Sequence, residues 1–180
     1  MYNPKTIKVV NARDLNNLHP TVAYLADLLL KKANDYFNPQ GYQIKVVSTL
    51  RDWTEQQKIY NQGRTTPGPI VSNAMPGNTV HNWGCAFDLG VFKDGHYLDN
   101  KVPKIAEAIH KQIAPMGKNI GLFWGGDFTA PKDNPHYQYT GSYSNSEFLA
   151  KAKAGVPIDD ILDPFGELIK KLTKEGKLWK

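Results

Sequence analysis

Two short stretches constrain this chain more than any other part of it: Thr79-Val-His81-Asn-Trp-Gly84-Cys85-Ala-Phe-Asp88 and, further on, Asp133-Asn-Pro-His136-Tyr-Gln138. Between them they offer two imidazoles and two carboxylates that could converge on one ion. Neutral imidazole and carboxylate oxygen suit zinc, and a catalytic zinc takes three protein ligands while leaving a fourth position for water. We assign His81, Asp88 and His136 as the ligands of one zinc per chain and Asp133 as the general base. Asp133 stands three residues before His136, so it can approach the metal-activated water while the histidine holds the metal.

Those residues carry a resemblance. Thr79-x-His81-x-x-Gly84-x-Ala86-x-Asp88 resembles the Ser-x-His-x-x-Gly-x-Ala-x-Asp signature of the zinc D-Ala-D-Ala carboxypeptidase and dipeptidase superfamily, the VanY-like proteins, and Asp133-x-x-His136 resembles its downstream acid-x-x-His element. Leu50-Arg51 through Tyr60-x-x-Gly63-Arg64-Thr65, then Trp124-Gly-Gly-Asp127 and Pro135-His136-Tyr137-Gln138, is similar more particularly to the L-alanyl-D-glutamate peptidase branch, which includes many phage endolysins. Thr79 replaces the usual Ser but keeps the hydroxyl. Asp133 stands where the vancomycin-resistance dipeptidases have Glu, and the shorter acid is common in the endolysin branch.

The resemblance implies a Hedgehog/DD-peptidase-like α+β fold and hydrolysis of the L-Ala-D-Glu bond in bacterial peptidoglycan. In that setting Arg51 stabilises the developing oxyanion, and Thr79, Gln57, Tyr60 and Arg64 stand on the substrate side. Two rivals remain. One is a D-Ala-D-Ala carboxypeptidase or dipeptidase with the same zinc site. The other is a non-catalytic wall-binding module that keeps fold and metal, as Hedgehog-type relatives do. An acid at 133 beside all three ligands argues against the second.

The 180 residues fit one domain, here divided into a zinc peptidase unit over 1–143 and a helical extension or linker over 144–180. Lys and Arg outnumber Asp and Glu by 22 to 17, a net charge of +5 that would favour an acidic polymer such as cell wall. Nucleic acid fits the charge equally, but no nucleic-acid-binding motif accompanies it, and no apolar run spans a membrane. Nothing at the N-terminus reads as a secretory signal, so an enzyme made in a host cytoplasm would reach the wall after holin-type release. A monomer is the default expectation.

Cys85, the single cysteine, could compete as a ligand but reads better as a small buried hydrophobe. His96 falls in an Asp-Gly turn and reads as exposed, His110 as structural or solvated, and Asp127, beside two glycines, as a turn residue. Helical spacing predicts one helix from Pro20 to about Phe37 and another from Pro103 to about Gly117, with Ile105, Ile109, Ile113 and Met116 on its apolar face. Thr54-Glu-Gln-Gln57 predicts a capped short helix closed by Gly63, and Ser144 or Ser146 caps another through Lys153. Strands are expected at Val9-Val10, Tyr42–Ser48, Cys85–Phe92, Tyr97-Leu98, Leu122–Trp124 and His136–Tyr139. After Pro157 a last helical segment is expected to break near Pro164. The architecture is therefore α+β: a small, mostly antiparallel sheet carrying the ligands, with two longer helices covering one side.

Overall fold

The computed structural model describes residues 2–162 and 165–177, apart from the side chain of Phe165. Helix α1 (Pro20–Phe37) has Pro20 at its first position and buries Val22, Leu25, Ala26, Leu29, Ala33 and Phe37 as one stripe. A 3-10 turn at Asn38–Gln40 follows and ends at Gly41, whose φ of +80° is the left-handed conformation that glycine adopts at little cost. Strand β1 (Tyr42–Ser48) then turns Ile44 and Val46 inward. Asn34 of α1 ties helix to strand by accepting from the Ile44 N–H at 2.9 Å and donating to the Ile44 carbonyl at 2.9 Å.

The sheet is antiparallel throughout, in the order β1-β2-β5-β4, with β3 pairing only with β2. Its central strand β2 (Ala86–Lys93) has β1 on one side, and β3 (His96–Tyr97) and β5 (His136–Gln138) on the other. Strand β4 (Phe123–Trp124) adds the outer edge. One face is covered by α1 and by α4 (Pro103–Asn119), which pack on each other, and α4 reaches β2 and β4. Phe87 and Tyr137, opposite each other on β2 and β5, stack on that covered face with ring centroids 5.8 Å apart. Because side chains alternate along a strand, Asp88 and His136, one residue on, must point to the open face. The short α2 (Trp53–Asn61) follows β1, and α3 (Leu98–Lys101) follows β3. Past β5, α5 (Asn145–Lys153), α6 (Ile158–Ile161) and α7 (Phe165–Lys174) send Phe148, Ile158, Ile161, Leu168 and Leu172 into the same core as α1 and α4. Ser144 and Glu147 form a complete capping box at the start of α5.

Four expectations change. Val9-Val10 is not a strand, for no neighbouring strand faces it and Val10 is 86 % exposed. The cap of α2 is Asp52, which accepts from the Glu55 N–H at 2.8 Å, so the helix begins at Trp53, before the expected Thr54. The buried face of α4 is Ala106, Ile109, His110, Ile113, Ala114 and Gly117, while Ile105 is 45 % exposed. His110 can join that face because its Nε2 lies 2.6 Å from Asp99 Oδ1. Asp99 also explains why β3 stops at Tyr97: its other oxygen accepts from the Val91 N–H at 2.9 Å, in place of a longer strand. The expected break near Pro164 lies outside the described residues. Among the described residues, no helix is long and apolar enough to cross a membrane.

Burial makes the fold sensitive to alkali. Loss of water raises the phenols of Tyr2 and Tyr137 and the thiol of Cys85 far above their ordinary values of 10.0 and 9.0, with the Cys85 charge adding to the rise at Tyr2. A group whose folded pKa is raised contributes stability that is intact below its unfolded value and is lost as pH climbs beyond it. These three groups should therefore cost the thermal midpoint little up to about pH 9 and make it fall steeply above about pH 10. A midpoint unchanged at pH 11 would contradict this.

Candidate metal centre

Three elements bring the ligand set together on the open face. His81 lies in a 3-10 turn, Val80–Trp83, that Thr79 caps by accepting from the His81 N–H at 3.4 Å. The turn ends at Gly84, whose φ of +67° is a left-handed conformation that glycine adopts at little cost, and a Cβ there would overlap the Tyr2 hydroxyl. Asp88 is on β2, and the antiparallel register sets His136 of β5 directly opposite it. One ligand atom each from His81, Asp88 and His136 falls within 4.8 Å of the others.

Hydrogen bonds orient both imidazoles. His81 Nδ1 is 2.8 Å from the Thr49 carbonyl, which can only accept, so the proton sits on Nδ1 and the Nε2 lone pair faces inward. His136 Nε2 lies 3.0 Å from Gln138 Oε1, which likewise leaves Nδ1 to face inward. Those two nitrogens stand 3.2 Å apart. Asp88 Oδ1 is 3.3 Å from the first and 3.4 Å from the second, yet it is buried with no hydrogen-bond partner among the described residues. A buried carboxylate oxygen without a donor, facing two lone pairs, is what a cation site requires, and the donor set fits a divalent metal. Burial alone would raise the Asp88 carboxyl, but the neighbouring imidazoles of His81 and His136 outweigh it and hold Asp88 well below the usual range. Burial would lower His136, and there Asp88, Gln138 and Asp133 prevail, so its pKa is raised.

Arg51 borders the cluster. Its Nη2 is 3.8 Å from Asp88 Oδ2 and 3.3 Å from Ser48 Oγ, and its Nη1 donates to Gln56 Oε1 at 3.0 Å. Asn82, next to His81, donates to the Arg51 carbonyl at 2.7 Å and so joins the arginine's backbone to the metal turn. Asp133 keeps solvent access, but neighbouring groups displace water from its carboxyl and Asp88 adds like charge. Together these raise its pKa against the opposing His136, His81 and Arg51. Gly125 allows this approach: a Cβ there would come within 2.4 Å of the Asp133 carbonyl and 2.8 Å of His136 Cβ.

The other expected site residues are placed differently. Gln57 is exposed and bonds Asn61 at 2.8 Å, whereas its neighbour Gln56 is buried, holding Arg51 on one side and Ser72 and Ala74 on the other. Arg64 spends its guanidinium on its own loop, bonding the Tyr60 and Ser72 carbonyls and Asn73 Oδ1, and it lies 4.2 Å above the Tyr60 ring. Thr79 is occupied as a cap. Asp127 pairs with Lys118 at 2.7 Å and His96 is exposed. Cys85 is buried with its thiol directed at the Trp83 carbonyl, away from the cluster. Sequence reasoning missed Thr49 and Gln56. A backbone carbonyl has no sequence signature, and which of two adjacent glutamines meets Arg51 depends on packing with distant segments.

Comparison with known proteins shows what this chain resembles. A family profile described as D-alanyl-D-alanine carboxypeptidase matches residues 73–139, which contain all three ligand-bearing residues and Asp133. The peptidoglycan L-alanyl-D-glutamate endopeptidase CwlK of Bacillus subtilis (strain 168) is 32% identical over 130 residues, covering 68% of this chain and 74% of CwlK. Among solved structures, the Serratia marcescens L-Ala D-Glu endopeptidase ChiX aligns at 22% identity and a TM-score of 0.44 over 74% of this chain and 89% of ChiX. The vancomycin resistance D,D-dipeptidase VanXYg aligns at 18% identity and a TM-score of 0.51 over 93% of this chain and 66% of that one, and it shares the mixed helical and antiparallel fold. With a relative of this identity matched over most of its length, the chain belongs to the M15 family of VanY-like D-alanyl-D-alanine carboxypeptidases.

Proposed function

We propose that this protein is a zinc-dependent peptidoglycan endopeptidase of the endolysin type, cleaving the L-Ala-D-Glu bond of cell-wall stem peptides. The observation that carries the reading is the convergence of His81, Asp88 and His136 on the open face, with Arg51 and Asp133 at its border. Two imidazoles and a carboxylate favour zinc over the hard, oxygen-preferring cations. The bond assignment draws on the similarity to CwlK.

His81 Nε2, Asp88 Oδ1 and His136 Nδ1 would hold the ion. When bound, zinc supplies Lewis acidity, polarising a carbonyl and drawing the pKa of water toward about 7. Asp133 accepts a proton from the attacking water as the new C–O bond forms. As the C–N bond breaks, Asp133 returns that proton to the leaving amine. The Arg51 guanidinium, held in place by Ser48 and Gln56, offers its charge to the oxyanion of the tetrahedral intermediate without having to reorient.

Digestion of purified walls with end-group analysis tests the reading. New glutamate amino termini are expected. New alanine amino termini would instead assign the D-Ala-D-Ala bond, which the matched profile's description favours. A zinc-loaded protein that released no amino groups from any wall type would be a binding module.

A further inference from the structure

The open face of the sheet carries one more group that the chemistry above leaves unused. Tyr97 ends β3, and its ring lies over the bare backbone of Gly90: a Cβ there would stand 2.6 Å from Tyr97 Cε2 and 2.7 Å from Val47 Cγ1. Gly90 is two residues from Asp88 on the same strand and the same face, a separation of roughly 7 Å at the usual strand rise. Phe92, the next residue on that face, flanks the ring with centroids 5.2 Å apart. The ring is thus seated by Gly90, Val47 and Phe92, and Tyr97 as a whole is half-buried. Its hydroxyl has no hydrogen-bond partner among the described residues, and it is not closed off in the core as the Tyr137 hydroxyl is.

The surroundings decide what such a hydroxyl can do. Loss of water first, then the negative charges of Asp99, Asp88 and Asp133, push the phenol up to about 12, so it stays a neutral donor at any working pH. Those carboxylates would repel an anionic ligand group, whereas a neutral carbonyl oxygen can accept from the phenol without that penalty.

We propose that Tyr97 is a substrate-positioning residue whose phenol donates a hydrogen bond to a neutral carbonyl oxygen of the stem peptide, laying the peptide along the open face past Asp88. The inference rests on the peptidase reading. The contact is made equally in the bound substrate and in the transition state, so its loss should raise KM and leave kcat in place.

Tyr97→Phe tests this because it keeps the ring over Gly90 and removes only the hydroxyl. Cleavage of soluble stem peptides is measured for both proteins, together with metal content and thermal midpoint. The expected result is a KM raised about five- to tenfold, in line with one hydrogen bond, with kcat within about twofold and metal content and midpoint unchanged. Unchanged kinetics would overturn the inference and leave the peptidase reading intact. Lost metal or a lowered midpoint would overturn it in favour of a structural role. A wild-type protein that cleaves no stem peptide would overturn the peptidase reading and this inference with it.

Discussion

Asp133→Asn should lower kcat by about 10²- to 10⁴-fold while the protein keeps its metal, because the amide has the shape of the carboxylate and cannot accept the proton. The backbone bonds that place the residue survive the change: the Asp133 N–H to the Gly125 carbonyl at 3.0 Å and the His136 N–H to the Asp133 carbonyl at 3.2 Å. Stability should not fall with activity. The Asp133 pKa is raised in the folded chain, so its stabilising contribution is complete only below the ordinary carboxylate value and is lost as pH rises through the raised one. At neutral pH the ionised carboxylate works against the fold, and a neutral side chain there should leave the thermal midpoint of the metal-free protein unchanged or raise it. Activity set against midpoint separates a base from a structural residue. An asparagine variant turning over at the wild-type rate with metal bound would remove Asp133 from proton transfer.

His136→Ala should abolish both metal binding and activity. Losing a group that hydrogen-bonds a metal ligand typically weakens metal affinity by about 10- to 100-fold, and losing a ligand itself should exceed that. The substitution removes an inward-facing nitrogen, leaves Gln138 Oε1 without its partner, and takes from Asp88 one of the two imidazoles that compensate its buried charge. Two measurements check it. Metal analysis should find about one zinc per wild-type chain and close to none in the variant. A chelator should lower the wild-type thermal midpoint and leave that of the variant unmoved, since a ligand present at 1,000 times its Kd stabilises the folded state by about 4 kcal/mol. A variant still holding stoichiometric zinc would mean that His136 is not a ligand.

Much of the fold was legible because local chemistry announces it. Pro20 and the stripe from Val22 to Phe37 mark α1, alternation marks β1, and a serine at 144 or 146 marks the start of α5, where the structure uses Ser144. The legible part also included the chemistry of the ligand set, since residue type and spacing are local properties of the chain. What failed was a matter of rotation and of partners. The cap of α2 is Asp52 and not Thr54, and Gln56 and Gln57 stand about 100° apart around the helix, so tertiary packing decides which of them meets Arg51. Ile105 was expected on the apolar face and is exposed, while His110, expected as structural or solvated, is structural because Asp99, on a different element, satisfies the imidazole.

The sequence by itself determined which side chains could bind a metal, and which helices and strands would carry them. Only the tertiary structure decided which imidazole nitrogen faces inward, because that depends on acceptors brought from elsewhere, the Thr49 carbonyl for His81 and Gln138 for His136. It also decided that Gln56 holds Arg51, that Gly125 admits Asp133, and that Tyr97 lies over Gly90 with no hydrogen-bond partner for its hydroxyl among the described residues. The physical reason is that hydrogen-bond direction and close approach are relations between distant segments, and they come into being only when the chain packs.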